Sequence, residues 1–189
     1  MIRKAEEIDI DNIIQLHLKT FRKNHFSALF SKRMLRRYFQ LLLSLNKYNF
    51  VLYADNNTLL GYIIAGYKSR DAVNIFTKEY ILQLIYILLR NPKFISEKVN
   101  ELLTRNRKTR DEKRSKCRLY LIGVNNNFKG KGIAKSLVNN LEIELKKNEI
   151  NIYGLSVRKD NADAIRFYNK RGFSIEFEDA KSIYYSKEI

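Results

Sequence analysis

The sequence predicts an α/β (α+β) fold, a mixed twisted sheet flanked by helices, on three observations. The apolar spacing changes from helical to alternating near residue 48. Two β-rich runs are joined by Asp55-Asn56-Asn57-Thr58, residues that tolerate the backbone angles of a tight hairpin. From Leu119 onward strands and helices alternate regularly. With 189 residues, 45% of them apolar, the chain can bury one proper core. A single domain over 1–189 with a helical insertion at 68–116 is expected.

The elements follow in order. Ile2 to Ala5 reads as a short first strand. Asp9 or Asp11 can cap a helix whose apolar positions Ile13, Ile14, Leu16, Leu18 and Phe21 face inward. A second helix spans about Ser31 to Leu45, with Met34, Leu35, Tyr38, Phe39, Leu41, Leu42 and Leu45 as its stripe. Asn49 to Ala54 and Leu59 to Tyr67 form the hairpin. Between Lys68 and Lys116 the pattern is helical again: Thr77 or Asp71 starts a helix running to Arg90, Pro92 breaks it, and Ser96 with Glu97 starts another through Leu103. Thr104 to Lys116 is a charged loop. Strand 119–124, helix 132–147, strand 151–157, helix 161–171 and strands 173–178 and 182–186 complete the chain.

The single cysteine, Cys117, excludes an internal disulfide and suits a reducing compartment, and residues 1–7 have no apolar targeting core. A cytoplasmic location is expected. The longest apolar run, Tyr80 to Leu89, is shorter than the about 20 residues a spanning helix needs, so no transmembrane segment is expected. The net charge is +16, and half of it lies between Lys68 and Arg118, where 14 Lys/Arg face 6 Asp/Glu. Such a stretch suits nucleic acid, an anionic membrane or an acidic metabolite. A solvated helix face followed by a charged loop accounts for it without a partner, and no nucleic acid is expected.

Two segments carry chemistry. Lys129-Gly130-Lys131-Gly132-Ile133-Ala134 lies between an apolar strand and an amphipathic helix, so unpaired backbone N–H groups gather there while two glycines let an anion approach closely. That arrangement is a pyrophosphate cradle, though plain strand-to-helix turns share the pattern. About 30 residues on, Asp160 or Asn161 caps a helix on which Ala164, Ile165 and Tyr168 share a face and which Gly172 ends. No metal is expected.

In this order the two segments resemble the GNAT superfamily of N-acetyltransferases. Val124-Asn125-Asn126-Asn127-Phe128-Lys129-Gly130-Lys131-Gly132-Ile133-Ala134 is similar to that family's acetyl-CoA pyrophosphate signature, and Asn161 to Phe173 to its Asn-x-x-Ala-Ile-x-Phe-Tyr-x-Lys-x-Gly-Phe segment. The resemblance covers roughly 1–67 and 117–189. It implies a mostly antiparallel sheet with splayed central strands and acetyl-CoA as cofactor. It also implies that Ile122, Gly123 and Val124 present the pantetheine edge, with the main chain of Ile122 and Val124 as partners, and that Lys129 to Ala134 hold the pyrophosphate. Asn161 would face the acyl end, and Tyr168 would protonate the departing thiolate. Lys129 stands where the family usually has Arg or Gln, and Asn126 where Pro is frequent.

The implied reaction needs a neutral amine, and neutralising a lysine-like amine of pKa about 10.4 costs on the order of 4 to 5 kcal/mol at pH 7. Many relatives keep a carboxylate on the strand before the cradle, whereas Arg118 to Val124 contains no Asp or Glu. On the acceptor side the candidates are His25, Asp71 and Glu79. His17, inside the first helix, reads as a packed or surface histidine. The implied partner is a small-molecule primary amine, an amino sugar by resemblance, with a protein N-terminus, a lysine or a polyamine as alternatives. A non-catalytic basic module is the rival class. The apolar helix of the insertion leaves room for a homodimer or for peripheral membrane contact.

Overall fold

In the computed structural model, residues 1–21, 25–92, 94–95 and 115–189 are described. Seven strands form one sheet: β1 (Ile2–Lys4), β2 (Tyr48–Tyr53), β3 (Leu59–Gly66), β4 (Arg118–Val124), β5 (Ile152–Arg158), β6 (Ser174–Glu178) and β7 (Ser182–Glu188). Their spatial order is β1-β2-β3-β4-β5-β7-β6, and every neighbouring pair is antiparallel except β4 and β5. The helices are α1 (Ile10–Thr20), α2 (Lys32–Leu45), α3 (Ser69–Glu79), α4 (Ile81–Arg90), α5 (Ile133–Lys147) and α6 (Ala162–Asn169).

Central strands buried on both faces lack polar alternation, which is why β2 and β3 read as continuous apolar runs. Alternate residues still go to opposite sides. Val51, Tyr62 and Ile64 meet α1, α2 and α3 on one face, while Phe50, Ile63, Ala65 and Leu119 meet α5 on the other. α2 starts where Ser31 accepts the N–H of Met34 at 3.3 Å, a cap worth about 1 kcal/mol. The hairpin turn has Asn57 in the left-handed region, φ 60°, which Asn tolerates.

The structure corrects three local expectations. Asp9 precedes α1 but does not cap it. Its carboxylate takes both Arg3 guanidinium nitrogens at 2.7 Å, the Tyr53 hydroxyl at 2.8 Å and the Glu6 N–H at 2.9 Å, so it is spent on Arg3, on Tyr53 and on capping the preceding 3-10 turn. Nor does Asp11 cap the helix, because it pairs with Arg36 on α2 at 2.7 Å. The single helix expected up to Arg90 is two, α3 and α4, bent by 84° at Tyr80. Phe76, Tyr80 and Leu84 all pack on the core across the bend, with the Phe76 and Tyr80 rings 5.0 Å apart. The helix expected from Ser96 to Leu103 lies outside the described residues, as does the charged loop apart from Ser115 and Lys116.

Among the described residues no single helix is long and apolar enough to cross a membrane. On α4, Leu84 is buried while Ile81, Leu82, Ile85, Tyr86 and Leu89 are exposed. The helix is thus apolar on more sides than the core covers.

Behind the sheet a half-buried carboxylate ties α5 to β5 and β7. Glu142 accepts hydrogen bonds from the Tyr153 hydroxyl and Lys187 Nζ, both at 2.8 Å, and lies 3.3 Å from the guanidinium of Arg171. Burial opposes its ionisation, but the bonds from Lys187 and Tyr153 and the charges of Lys187 and Arg171 outweigh it and hold the carboxyl below the usual range. A carboxyl depressed in the folded state contributes stability above its unfolded pKa of about 4.3, and that stability is lost as pH falls through the lower folded value. Glu142→Gln is therefore expected to cost about 1–3 kcal/mol at neutral pH and nothing measurable below both values. Urea melts of both proteins across that window read the difference; a constant gap at all pH values would remove the charge from the account.

Candidate active site

The site arises from a fault in the sheet. β3 and β4 pair regularly until the register shifts between Ile64 and Ala65, opposite the extra residue Tyr120. Across that bulge the strand reverses phase, so Leu119 faces α5 and Leu121 faces α1 and α2. Tyr120 turns toward α2, its hydroxyl 3.1 Å from that of Tyr38. Beyond the bulge β4 no longer follows its parallel neighbour. The only β4–β5 register pair is Arg118 with Gly154, supported by the Gly154 N–H to the Cys117 carbonyl at 3.0 Å.

The strands therefore diverge like a split seam, and a cavity of about 510 Å³ fills the gap. Its walls include Leu119 to Ile122 on β4, Leu155 to Arg158 on β5, Asn161, Ala164 and Tyr168 at α6, and Thr20, Phe21 and His25 opposite. The N–H of Asn125 bonds the Leu60 carbonyl at 2.8 Å on the β3 side. Strand alternation then turns the backbone groups of Ile122 and Val124 to the opposite edge, the one facing the gap. Gly123 is needed for packing, since a Cβ there would lie 2.4 Å from the Tyr62 ring.

Past Val124 the chain makes a short 3-10 turn and enters the Gly-Lys-Gly segment. Gly130 and Gly132 have φ of 77° and 78°, in the left-handed region, and open space surrounds the position of an added Cβ at each. The N–H groups of Lys129 and Lys131 close long 3.3 Å turn bonds. Among the described residues, those of Gly130, Gly132, Ile133 and Ala134 have no backbone acceptor, and they lie at the start of α5, where an anion is favoured. A diphosphate fits this cradle, and its extended arm fits the edges of β4 and β5 that no longer pair with each other, where the Val124 carbonyl accepts the Thr20 hydroxyl at 3.3 Å.

At α6 the local signals hold. Asn161 caps the helix, accepting the Ala164 N–H at 3.1 Å, and Gly172 follows it with φ 76°. Asp160 is instead engaged by Arg158 at 2.9 Å. Tyr168 is largely buried between Phe167 and Phe173, each ring about 5.1 Å away, yet it lines the cavity. Burial pushes its phenol well above the ordinary tyrosine value, with Arg171 opposing, so the group stays protonated at neutral pH.

The acceptor-side candidates separate. His25 lies on the cavity wall. Asp71 lines a second cavity of about 470 Å³ that shares Leu119, Tyr120 and Ser156 with the first and also carries Arg70, Lys116 and Arg118. Glu79 is on neither wall: its carboxylate is held by Arg37 at 2.6 and 2.8 Å, between α2 and α3. Cys117 is buried and burial pushes its thiol up to about 12, which disfavours the thiolate a nucleophile would need.

Two features were not legible locally. Arg118 reaches across Gly154 to the Leu155 carbonyl that β4 no longer reaches, and pairs with Glu176 at 2.9 Å, bracing the root of the split. His17, expected to be packed or at the surface, is fully buried and lies in a chain of hydrogen bonds with Tyr62 and Ser27. These partners are 45 and 58 residues apart in the longest cases, beyond any local pattern.

The sequence profile described as the Acetyltransferase (GNAT) family matches residues 10–173. No curated protein matches the chain in sequence. Solved structures do in fold. A PaiA N-acetyltransferase from Thermoplasma acidophilum in complex with coenzyme A has a TM-score of 0.61 at 16% identity, covering 100% of this chain and 98% of that one. Arabidopsis thaliana Naa50, in complex with the bisubstrate analogue CoA-Ac-MVNAL, has 0.60 at 15%, covering 100% and 98%. A polyamine N-acetyltransferase of Drosophila melanogaster has 0.62 at 11%, covering 100% and 99%.

Proposed function

The chain belongs to the GNAT acetyltransferase family, and from that premise we propose that it transfers the acetyl group of acetyl-CoA to a primary amine of a small molecule by direct attack. The observation that carries the reading is the opening of β4 from β5 directly ahead of four unpaired amides at a helix start. Acetyl-CoA supplies the activated thioester. Gly130, Gly132, Ile133 and Ala134 hold its diphosphate through N–H groups, with the Lys129 and Lys131 charges beside them, and the backbone edges of Ile122 and Val124 align the arm. The Val124 amide polarises the acyl carbonyl. Asn161 stands at the acyl end and Tyr168 holds the proton that the departing sulfur takes.

The acceptor enters from the side of His25 and Asp71. Arg70, Lys116 and Arg118 against Asp71 at the second cavity disfavour a polycation there, which supports a small amine over a polyamine. The peptide-like analogue carried by the Arabidopsis neighbour keeps a protein N-terminus as the second reading. A cytoplasmic location follows from the lone reduced cysteine and remains part of this proposal.

Two measurements test it. Acetyl-CoA at about 100 times its dissociation constant is expected to raise unfolding free energy by about 2.7 kcal/mol without any acceptor. A panel of amino sugars, amino acids, polyamines and peptides, read by released thiol, then identifies the class. No protection by millimolar acetyl-CoA would reject the reading.

A further inference from the structure

The solvent side of α4 has the composition of an interior. Leu82, Ile85, Tyr86 and Leu89 recur at i, i+3, i+4 and i+7, so they form one continuous stripe, and each is between 45% and 76% exposed. The opposite side is already spent, since Leu84 is buried and Tyr80 and Ile87 pack on the core. Apart from the Tyr86 hydroxyl, the polar side chains of the helix are Gln83 and Arg90, and none is acidic. We propose that this stripe is a membrane anchor: α4 lies in the headgroup region of an anionic lipid surface with Leu82, Ile85, Tyr86 and Leu89 inserted. The proposal goes beyond the acetyltransferase reading and does not rest on it.

Charge decides the occupant. A stripe of four large apolar side chains calls for an apolar cover, and the cations around it discriminate between covers. Arg90 closes the stripe, its guanidinium 4.7 Å over the Tyr86 ring. Lys78 precedes the helix across the bend, and Arg33 on α2 shares the wall of a small cavity with Tyr80 and Gln83. Glu79, the acidic residue next in sequence, is held by Arg37 at 2.6 Å. Among the described residues the rim of the stripe is therefore basic. A second copy of the chain would bring the same rim and its own net charge of +16 against it, which is a repulsive pairing. An anionic bilayer offers hydrocarbon to the stripe and phosphate to the rim together.

The side chains suit the depth of such a site. A helix lying in the plane of an interface buries its apolar face about 5–10 Å into the boundary between headgroups and acyl chains. Leu82, Ile85 and Leu89 supply the apolar contact, while Tyr86 is amphipathic and favours the level of the headgroups. Arg90, stacked on Tyr86, carries its charge beside the ring to a lipid phosphate. The 10 residues of α4 span about 15 Å against a hydrocarbon core of about 30 Å, so the helix lies on the surface and does not cross it. Because Leu84 and Ile87 stay packed on the core, docking needs no refolding.

The chain has no tryptophan, so Tyr86→Trp places a single fluorescent probe in the stripe. Vesicles of phosphatidylcholine with about 30% phosphatidylglycerol, beside vesicles of phosphatidylcholine alone, supply the surface. The expected result is a blue shift of the emission with the anionic vesicles, and quenching by lipids brominated on the acyl chain. Flotation of the full chain with the anionic vesicles is expected to weaken at least about tenfold in Leu82→Gln/Leu89→Gln. Both positions are exposed, and the melting temperature of that variant checks that its fold is kept. No binding, binding without a shift, equal flotation of the variant, or equal binding to both kinds of vesicle overturns the proposal. A dimer in vesicle-free solution that the same variant dissolves, read by sedimentation, assigns the stripe to a second copy and overturns it as well. None of these readouts uses acetyl-CoA, so failure of cofactor protection would reject the acetyltransferase reading and leave them unaffected.

Discussion

Replacing Tyr168 by Phe is expected to lower kcat by about 10²-fold while changing the dissociation constant of acetyl-CoA by less than about twofold. The split follows from where the hydroxyl sits. The ring is packed between Phe167 and Phe173, contacts that Phe preserves, so the wall of the cavity keeps its shape. Only the proton donor is lost, and a donor acts most strongly when sulfur becomes a thiolate, since a charged acceptor roughly doubles the strength of a hydrogen bond. Because burial holds the phenol protonated, the donor form is present throughout the neutral range. Pre-steady-state turnover beside calorimetric titration with acetyl-CoA separates the two quantities. Unchanged kcat would remove Tyr168 from the chemistry, and a parallel loss of affinity would reassign it to binding.

Gly132→Asp should do the reverse and raise the dissociation constant of acetyl-CoA by about 10²-fold. A carboxylate beside a diphosphate costs on the order of 3 kcal/mol at the effective dielectric of a protein surface. It also occupies the space from which the unpaired amides of Ile133 and Ala134 face solvent. The backbone there is left-handed, so any side chain carries strain of about 1–2 kcal/mol in the fold. Gly132→Ala isolates that part, because an added methyl meets no neighbour within 4 Å. Equal effects of Ala and Asp on affinity, measured by titration, would show that the segment shapes the turn and does not bind an anion.

How far the sequence could be read depended on the range of the interactions. Cap, glycine and periodicity signals are local, so α2 with its Ser31 cap, α6 with its Asn161 cap and Gly172, and the β2–β3 turn at Asn57 were all visible in the chain. The same local logic misplaced Asp9 and Asp11, because Arg3, Tyr53 and Arg36 reach them from elsewhere with stronger bonds. It also ran one helix through Tyr80, where the structure bends by 84° with Phe76 and Leu84 both on the core. For the acceptor side the sequence named His25, Asp71 and Glu79 without distinguishing them. Two lie at adjoining cavities, and Glu79 is held by Arg37 away from both.

The order of strands and helices, the glycine-bearing turn at 129–134 and a tyrosine on an apolar helical face were written in the chain itself, because each depends on residues within a few positions of one another. The departure of β4 from β5 was decided only in three dimensions. It needs the bulge opposite Ile64 and Ala65, Arg118 crossing Gly154, and Tyr120 drawn to Tyr38 on another element. The burial of His17 between Tyr62 and Ser27 was decided in the same way. Such contacts arise when distant segments compete for one interior, and short-range backbone preference does not encode the outcome of that competition.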